Sequence, residues 1–262
     1  MAEACGSGHL GGSFSIMDAL VALYFDVAKN DPSNPNWEDR DRIILSKAHS
    51  CEALYAVLGE RGYFSKELFK TFGEWGSPLQ GHSEKWATPG VEYSGGSLGQ
   101  GLSYAVGVAY ALKMKGCKSR VYCIIGDGEC HEGQIWEAAM SASQYKLDNL
   151  TVILDLNDRS SEPEPLEDVM DIDPISKKWT AFRWTVFIQD GKNIDWVLRE
   201  LAKVASCKSP SLIISCSVKG EGVFSWEKGG YHLMYGDVLK SGAEEWRDGL
   251  LRANSKVTPN AV

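Results

Sequence analysis

Several features that would identify other classes of protein are missing from this 262-residue sequence. It contains no run of about eighteen apolar residues, so it predicts no transmembrane helix. Its first residues, MAEACGSGHLGG, lack the basic region and apolar stretch of a secretory signal peptide. Basic residues are outnumbered, 27 Lys and Arg against 35 Asp and Glu, whereas nucleic-acid-binding proteins usually show a basic surface. We therefore expect a cytoplasmic globular protein that binds neither membranes nor nucleic acid.

Paired cysteines are also missing. The seven cysteines are scattered and form no CxxC pair, which is typical of reduced thiols in a cytosolic protein. Cys130 and His131 are adjacent, but no second Cys/His pair at zinc spacing accompanies them. We therefore expect no zinc site.

Apolar runs and helical patterns alternate along the chain. Strands are predicted over 42–46, 121–125, 150–154, 182–188 and 212–218, and helices over about 51–61, 99–115, 134–146 and 194–205. This alternation predicts an α/β fold with a mainly parallel sheet and helices on both faces. The helix over 134–146 places Ile135, Ala138, Ala139, Ala142 and Tyr145 on one apolar face. Without an internal repeat or a low-complexity linker, we predict a single domain over residues 1–262, and an exposed loop over 160–166.

Polar side chains follow two consecutive predicted strands. Gly126-Asp127-Gly128 follows the strand over 121–125, and Asn157 follows the strand over 150–154. Ligands of open α/β sheets bind beyond the carboxyl ends of the strands, where both would lie. Asp127, Asn157 and a backbone carbonyl, that of Arg159, suit Mg²⁺ and leave ligand positions for phosphate oxygens. The flanking glycines let the backbone approach a phosphate, so the pattern predicts a cation holding a diphosphate and points to thiamine diphosphate, whereas GDG without Asn157 would predict only a turn.

Six further blocks accompany these residues. They are SGHLGG over 7–12, DRDR over 39–42, LSKAH over 45–49, QGH over 80–82, GSLGQG over 96–101 and VKGEG over 218–222. With these blocks in order, nearly the whole chain resembles the amino-terminal, diphosphate-binding half of a transketolase. The resemblance implies the thiamine-diphosphate-binding fold of the PP type. It also implies transfer of a two-carbon ketol unit from a ketose to an aldose, with thiamine diphosphate and Mg²⁺, or Ca²⁺ or Mn²⁺ in its place.

The resemblance also assigns roles to four of the five histidines. His9, His82 and His232 would contact substrate hydroxyl and carbonyl groups, where imidazole can transfer protons. His49 would lie nearer the cofactor. His131 has no counterpart in the family, and we predict an ordinary loop histidine there.

The remaining assignments concern the cofactor. Gly96, Ser97 and Leu98 would line the aminopyrimidine and thiazolium region, and Gly128 would lie at the diphosphate. By the same resemblance Glu132 would support the site, and Lys219 would face substrate or diphosphate. Their residue types alone fit ordinary roles as well, a carboxylate at a helix start and a solvated lysine.

The resemblance covers only one of the modules of a transketolase, and this predicts a partner. Full-length transketolases carry a second, pyrimidine-binding module whose glutamate activates the cofactor. We therefore expect a split enzyme, in which this chain joins a separate C-terminal subunit in an α2β2 heteromer, or alternatively a fragment of a longer chain. The segment over 229–236 departs from the family's Trp-His-Gly pattern, which leaves the sugar or sugar-phosphate substrate open.

Two other functions fit part of the pattern. The α subunit of a 2-oxoacid dehydrogenase and deoxyxylulose phosphate synthase share GDG with the later asparagine, but not the combination of SGHxGG, SKxH and QGH. A non-catalytic, regulatory homologue would share the fold. The intact Asp127, Asn157 and histidines disfavour it.

Overall fold

The structure is a computed structural model that describes residues 1–159 and 165–254, and the predicted loop over 160–166 lies outside these residues except at 165 and 166. The strands are β1 (Ser7–Gly8), β2 (Arg42–Leu45), β3 (Val121–Gly126), β4 (Leu150–Leu156), β5 (Thr185–Asp190), β6 (Ser211–Cys216) and β7 (Met234–Tyr235). The helices are α1 (Ala2–Cys5), α2 (Leu10–Phe14), α3 (Met17–Ala22), α4 (Cys51–Arg61), α5 (Gln100–Met114), α6 (Gly133–Gln144), α7 (Leu166–Met170), α8 (Ile175–Ala181), α9 (Ile194–Val204), α10 (Phe224–Gly229) and α11 (Gly236–Asn254). Across the described ranges, the helices are too short or too polar to cross a membrane.

Five strands form a parallel sheet in the order β2-β3-β4-β6-β5. Its central strands are buried on both faces, which explains why they read as continuous apolar runs in the sequence. The predicted α/β class with a mainly parallel sheet is confirmed. The strand predicted over 182–188 begins later, at Thr185, because Arg183 adopts a left-handed conformation (φ 66°) in the turn after α8.

Helices cover both faces of the sheet. Successive side chains of β3 point to opposite faces, so Tyr122 and Ile124 pack with α3, α4 and α9, whereas Cys123 and Ile125 pack with α5, α6 and α8. Tyr145 is an exception to the predicted apolar face of α6, since that helix ends at Gln144 and the Tyr145 side chain is 52% exposed.

A small antiparallel ribbon stands beside the main sheet. In it β1 pairs with β7 through Ser7 opposite Tyr235 and Gly8 opposite Met234. A cluster of Val223, Trp226, Met234 and Leu239 packs beneath the ribbon. This pairing joins the beginning of the chain to the segment before α11, which are far apart in sequence.

Candidate active site

A cavity of about 440 Å³ opens at the carboxyl edge of the sheet, within the size range of small-molecule sites. Twelve of the predicted site residues line it: His9, His49, His82, Gly96, Leu98, Asp127, Gly128, Glu132, Asn157, Arg159, Lys219 and His232. Among the predicted residues, which all lie in the described part of the chain, Ser97 does not line the cavity, and it is exposed on the surrounding loop. The topology thus gathers residues from most of the chain.

Asp127 lies at the base of this cavity, directly after β3. Its Oδ2 accepts hydrogen bonds from the backbone N–H groups of Asn157 at 2.9 Å and Asp158 at 2.7 Å, and its Oδ1 accepts one from Gly128 at 2.8 Å. Burial and the neighbouring Asp155 carboxylate raise the pKa of Asp127 to about 6, against the opposing effect of Lys47 and the backbone donors. A cation beside this carboxylate would favour its charged form.

Asn157 follows β4 and lies beside Asp127. Its Nδ2 donates to Asp155 at 2.9 Å, while its buried Oδ1 accepts no hydrogen bond from the described residues. A buried carbonyl oxygen without a partner is unfavourable unless a donor or a cation meets it. The Asp127 carboxylate and this oxygen are hard donors of the kind that Mg²⁺ prefers, so the residues present fit a divalent cation.

The chain turns sharply after Asn157. Asp158 adopts a left-handed conformation with φ 58°, which aspartate tolerates better than most residues. Arg159 then forms an isolated antiparallel bridge with Pro165 and lines the cavity. The turn therefore brings Arg159 to the cavity, as predicted for this residue.

The four histidines that the resemblance selected lie together. The ring centroids of His9 and His232 are 5.0 Å apart, those of His49 and His232 5.0 Å, those of His9 and His49 5.7 Å, and those of His9 and His82 6.3 Å. The ribbon accounts for the first pair, because His9 follows β1 and His232 precedes β7. The Glu52 carboxylate also holds His9, accepting its backbone N–H at 2.8 Å.

Three of these imidazoles are held neutral. Burial, together with Lys47 and the neighbouring histidines, lowers the pKa of His49 to about 2. Burial and Lys219 lower the pKa of His232 to about 4, and burial, His82 and Lys219 also lower that of His9. At neutral pH each ring therefore has one nitrogen that donates and one that accepts a hydrogen bond.

Lys219 enters the cavity from the segment after β6. It is buried, and burial and the charge of Lys47 lower its pKa to about 8. Gly11 of the SGHLGG block makes room for it. A Cβ on Gly11 would lie 2.3 Å from the Tyr231 carbonyl oxygen and 3.0 Å from Lys219 Cγ.

Glu132 and His131 form the wall where α6 begins. Glu132 is the residue before α6, and a Cβ on Gly99 (φ 80°) would approach its Cβ to 2.9 Å. His131, predicted as an ordinary loop residue, also lines the cavity, and its Nε2 lies 2.9 Å from the Met170 carbonyl oxygen. A carbonyl oxygen can only accept a hydrogen bond, so Nε2 is the donor and the Nδ1 of a neutral His131 is an acceptor.

Three charged residues in or beneath the cavity were not predicted from the sequence, namely Lys47, Asp155 and Glu129. The Lys47 ammonium lies 2.5 Å from Asp155, and the two side chains are 2% and 1% exposed. Glu129 Oε1 accepts hydrogen bonds from Ser46 Oγ at 2.6 Å and Gly99 N at 2.8 Å, and its Oε2 accepts one from Gly126 N at 2.9 Å. Lys47 stands inside the quoted LSKAH block and Glu129 directly after GDG. Their positions shortly after predicted buried strands were the feature of the sequence that could have identified them as site residues.

Comparisons with known proteins point to one family. The family described as "Transketolase, thiamine diphosphate binding domain" matches residues 1–246. The chain is 46% identical over 219 residues to the 6-deoxy-6-sulfo-D-fructose transketolase subunit SqwG of Clostridium sp. (strain MSTE9), covering 83% of this chain and 79% of that one. It is 43% identical to an apulose-4-phosphate transketolase subunit of Phocaeicola vulgatus, covering 83% and 77%.

Solved structures extend the likeness to the fold. The transketolase of Campylobacter jejuni superposes with a TM-score of 0.87 at 30% identity, over 94% of this chain and 40% of that one. Human transketolase is 39% identical, covering 84% of this chain and 35% of that protein. The chain therefore spans about 40% of the solved transketolase chain.

Proposed function

This chain belongs to the transketolase family by its thiamine diphosphate binding domain, and we propose that it is the diphosphate-binding subunit of a split transketolase. The enzyme moves a two-carbon ketol unit from a sugar or sugar-phosphate donor to an aldose acceptor, in the cytoplasm. One observation carries the proposal. The Asp127–Asn157 pair and four histidines, drawn from distant parts of the chain, line a single cavity.

The residues that follow β3 and β4 would hold the cation and the diphosphate. Asp127, the Asn157 carbonyl oxygen and the Arg159 backbone carbonyl would hold Mg²⁺, Ca²⁺ or Mn²⁺. Thiamine diphosphate, when bound, supplies the carbanion chemistry that cleaves and forms a carbon–carbon bond beside a carbonyl. Lys219, buried among these residues, balances the charge of the diphosphate. Gly96 and Leu98 line the cavity where the cofactor rings would lie, and Gly128 would allow the backbone to approach the phosphates.

We assign the proton transfers to the histidines that line the cavity. Because the pKa of His9 and of His232 is lowered, each ring is neutral near pH 7 and can accept a proton from a donor hydroxyl. The resulting imidazolium can return the proton to the aldehyde oxygen of the acceptor. His82 lines the same cavity from the QGH loop. His49 also lines it and would donate a hydrogen bond to the cofactor.

A separate C-terminal subunit completes the enzyme as an α2β2 heteromer. Two relatives are named as subunits, and one face of this chain suits a protein partner. The outward side of α5, of α6 and of the residue after α6 exposes Tyr110, Met114, Met140 and Tyr145, at 40%, 70%, 50% and 52%. Exposed apolar side chains of this size grouped on one face mark protein contacts.

Calorimetry and a ketol-transfer assay test the proposal. The chain is mixed with its proposed C-terminal subunit, and thiamine diphosphate is titrated with and without Mg²⁺. We expect Mg²⁺-dependent binding and ketol transfer by the pair but not by this chain alone. Asp127→Ala should abolish the Mg²⁺-dependent binding, whereas Asp248→Ala, an exposed control on α11, should not.

The possible failures have different meanings. Binding without any ketol transfer by the pair would favour a non-catalytic homologue. Ketol transfer by this chain alone would contradict the split enzyme. Unchanged Mg²⁺-dependent binding in Asp127→Ala would contradict the assignment of the cation.

A further inference from the structure

Asp155 lies beneath the cavity on the central strand β4, with Gly126 of β3 on one side and Ser215 of β6 on the other. Its side chain is 1% exposed and accepts four hydrogen bonds. Oδ2 receives Lys47 Nζ at 2.5 Å, Ser15 Oγ at 2.7 Å and Asn157 Nδ2 at 2.9 Å, and Oδ1 receives Ser217 Oγ. One carboxylate therefore joins four segments that meet below the cavity.

The contact with Asn157 determines which way that amide faces. A carboxylate only accepts hydrogen bonds, so the Asn157 nitrogen must face Asp155, because the reverse orientation would place two oxygens against each other. The carbonyl oxygen is then directed away from Asp155, and it is among the buried side-chain atoms of the described residues that have no hydrogen-bond partner. Asp155 thus decides whether Asn157 presents an oxygen or an N–H group beside Asp127.

We propose that Asp155 is a positioning residue, which makes Asn157 a cation ligand by accepting the hydrogen bond of its amide nitrogen. The inference rests on the proposed function, since it assumes that a divalent cation binds at Asp127 and Asn157. Asp155 itself does not line the cavity. Its effect on the cation passes through Asn157, as partners of metal ligands commonly orient those ligands in other proteins.

The ion pair with Lys47 complicates a direct test. Removing the Asp155 charge alone would leave a buried ammonium without its partner, which is itself strongly destabilising. Two double variants avoid this problem. Lys47→Met with Asp155→Asn removes both charges but keeps an oxygen facing Asn157, because the Ser217 hydroxyl can accept the new amide N–H. Lys47→Met with Asp155→Leu removes both charges and also removes the acceptor.

The measurement is Mn²⁺ binding to the full chain in the presence of thiamine diphosphate and the partner subunit, followed by electron paramagnetic resonance. Both variants lose the charge of Lys47, which lines the cavity, so they are compared with each other. We expect the leucine variant to bind Mn²⁺ at least about tenfold more weakly than the asparagine variant. Thermal unfolding without ligands reports whether each variant folds. If the leucine variant does not fold, Lys47→Met with Asp155→Ala takes its place in the comparison, because alanine also lacks a hydrogen-bond acceptor.

The outcomes separate the inference from the proposed function. Wild-type protein that binds no Mn²⁺ would overturn both. Wild-type binding together with equal dissociation constants in two folded double variants would overturn the role of Asp155 alone. Weak binding in the leucine variant only would support it, since the two variants differ in whether residue 155 can accept a hydrogen bond.

Discussion

Replacing Asp127 with asparagine should stabilise the ligand-free protein at neutral pH while abolishing cation binding. The carboxylate is 2% exposed, and burial with the nearby Asp155 charge raises its pKa from 3.8 to about 6. A buried carboxylate without a cation is therefore costly at pH 7. Asparagine has the same shape and carries no charge.

The size and sign of the effect follow from proton linkage. A shift of about two pKa units, at 1.36 kcal/mol each, corresponds to about 3 kcal/mol. Because the folded state holds the proton more tightly than the unfolded state, the wild type loses this stability as pH rises from 3.8 through about 6. The asparagine oxygen can still accept the hydrogen bonds of Asn157 N and Asp158 N. Its NH₂ group, however, would lie against the N–H of Gly128, and the lost hydrogen bond costs about 1 kcal/mol. The net gain is about 2 kcal/mol at pH 8, and near pH 4 the variant is slightly the less stable protein.

Urea unfolding of the ligand-free chain at pH 4.5 and pH 8 measures the difference. Asp248→Asn on the exposed side of α11 is the control, and its effect on the free energy of unfolding should be the same at both pH values. Adding thiamine diphosphate and Mg²⁺ with the partner subunit should stabilise the wild type but not Asp127→Asn. An Asp127→Asn variant that is less stable than the wild type by the same amount at both pH values would refute the reasoning.

Three further predictions concern steric fit and association. Gly11→Ala should lower the melting temperature and weaken ketol transfer, because its Cβ would overlap the Tyr231 carbonyl, whereas Gly107→Ala, with no atom within 4 Å, should do neither. Gly96→Ala should leave the melting temperature unchanged but weaken thiamine diphosphate binding by calorimetry about tenfold, since no protein atom lies near its Cβ and the residue lines the cavity. Met140→Glu should weaken binding of the C-terminal subunit in ultracentrifugation about tenfold, and an unchanged dissociation constant would contradict a contact there.

Much of the fold was predictable because the apolar pattern follows from burial on both faces of the sheet. The runs over 121–125 and 150–154 are strands, since neither face of β3 or β4 meets water. The boundary at Thr185 was missed because Phe182 and Trp184 look like strand residues, and only the left-handed turn at Arg183 separates them from β5.

The site was predictable where a motif names the residue, and not where the partner lies far away in sequence. Asp127 and Asn157 could be paired because parallel neighbouring strands end at one edge. The pairing of Lys47 with Asp155 depends on β2 and β4 flanking β3, a strand order that local patterns do not specify. The approach of His232 to His9 likewise depends on a two-residue ribbon, which is too short to leave a periodic signal.

The charges around the cavity explain why cation and diphosphate depend on each other in the proposed function. Its charged lining residues are Lys47, Asp127, Glu129, Glu132, Arg159 and Lys219, three of each sign. With His49 and His232 neutral, this lining offers a diphosphate no excess of positive charge. A divalent cation at Asp127 and Asn157 changes the balance by two charges in favour of the anion. The same cation removes the cost of the buried Asp127 carboxylate, so the residue that destabilises the ligand-free chain is the one that makes the diphosphate site attractive.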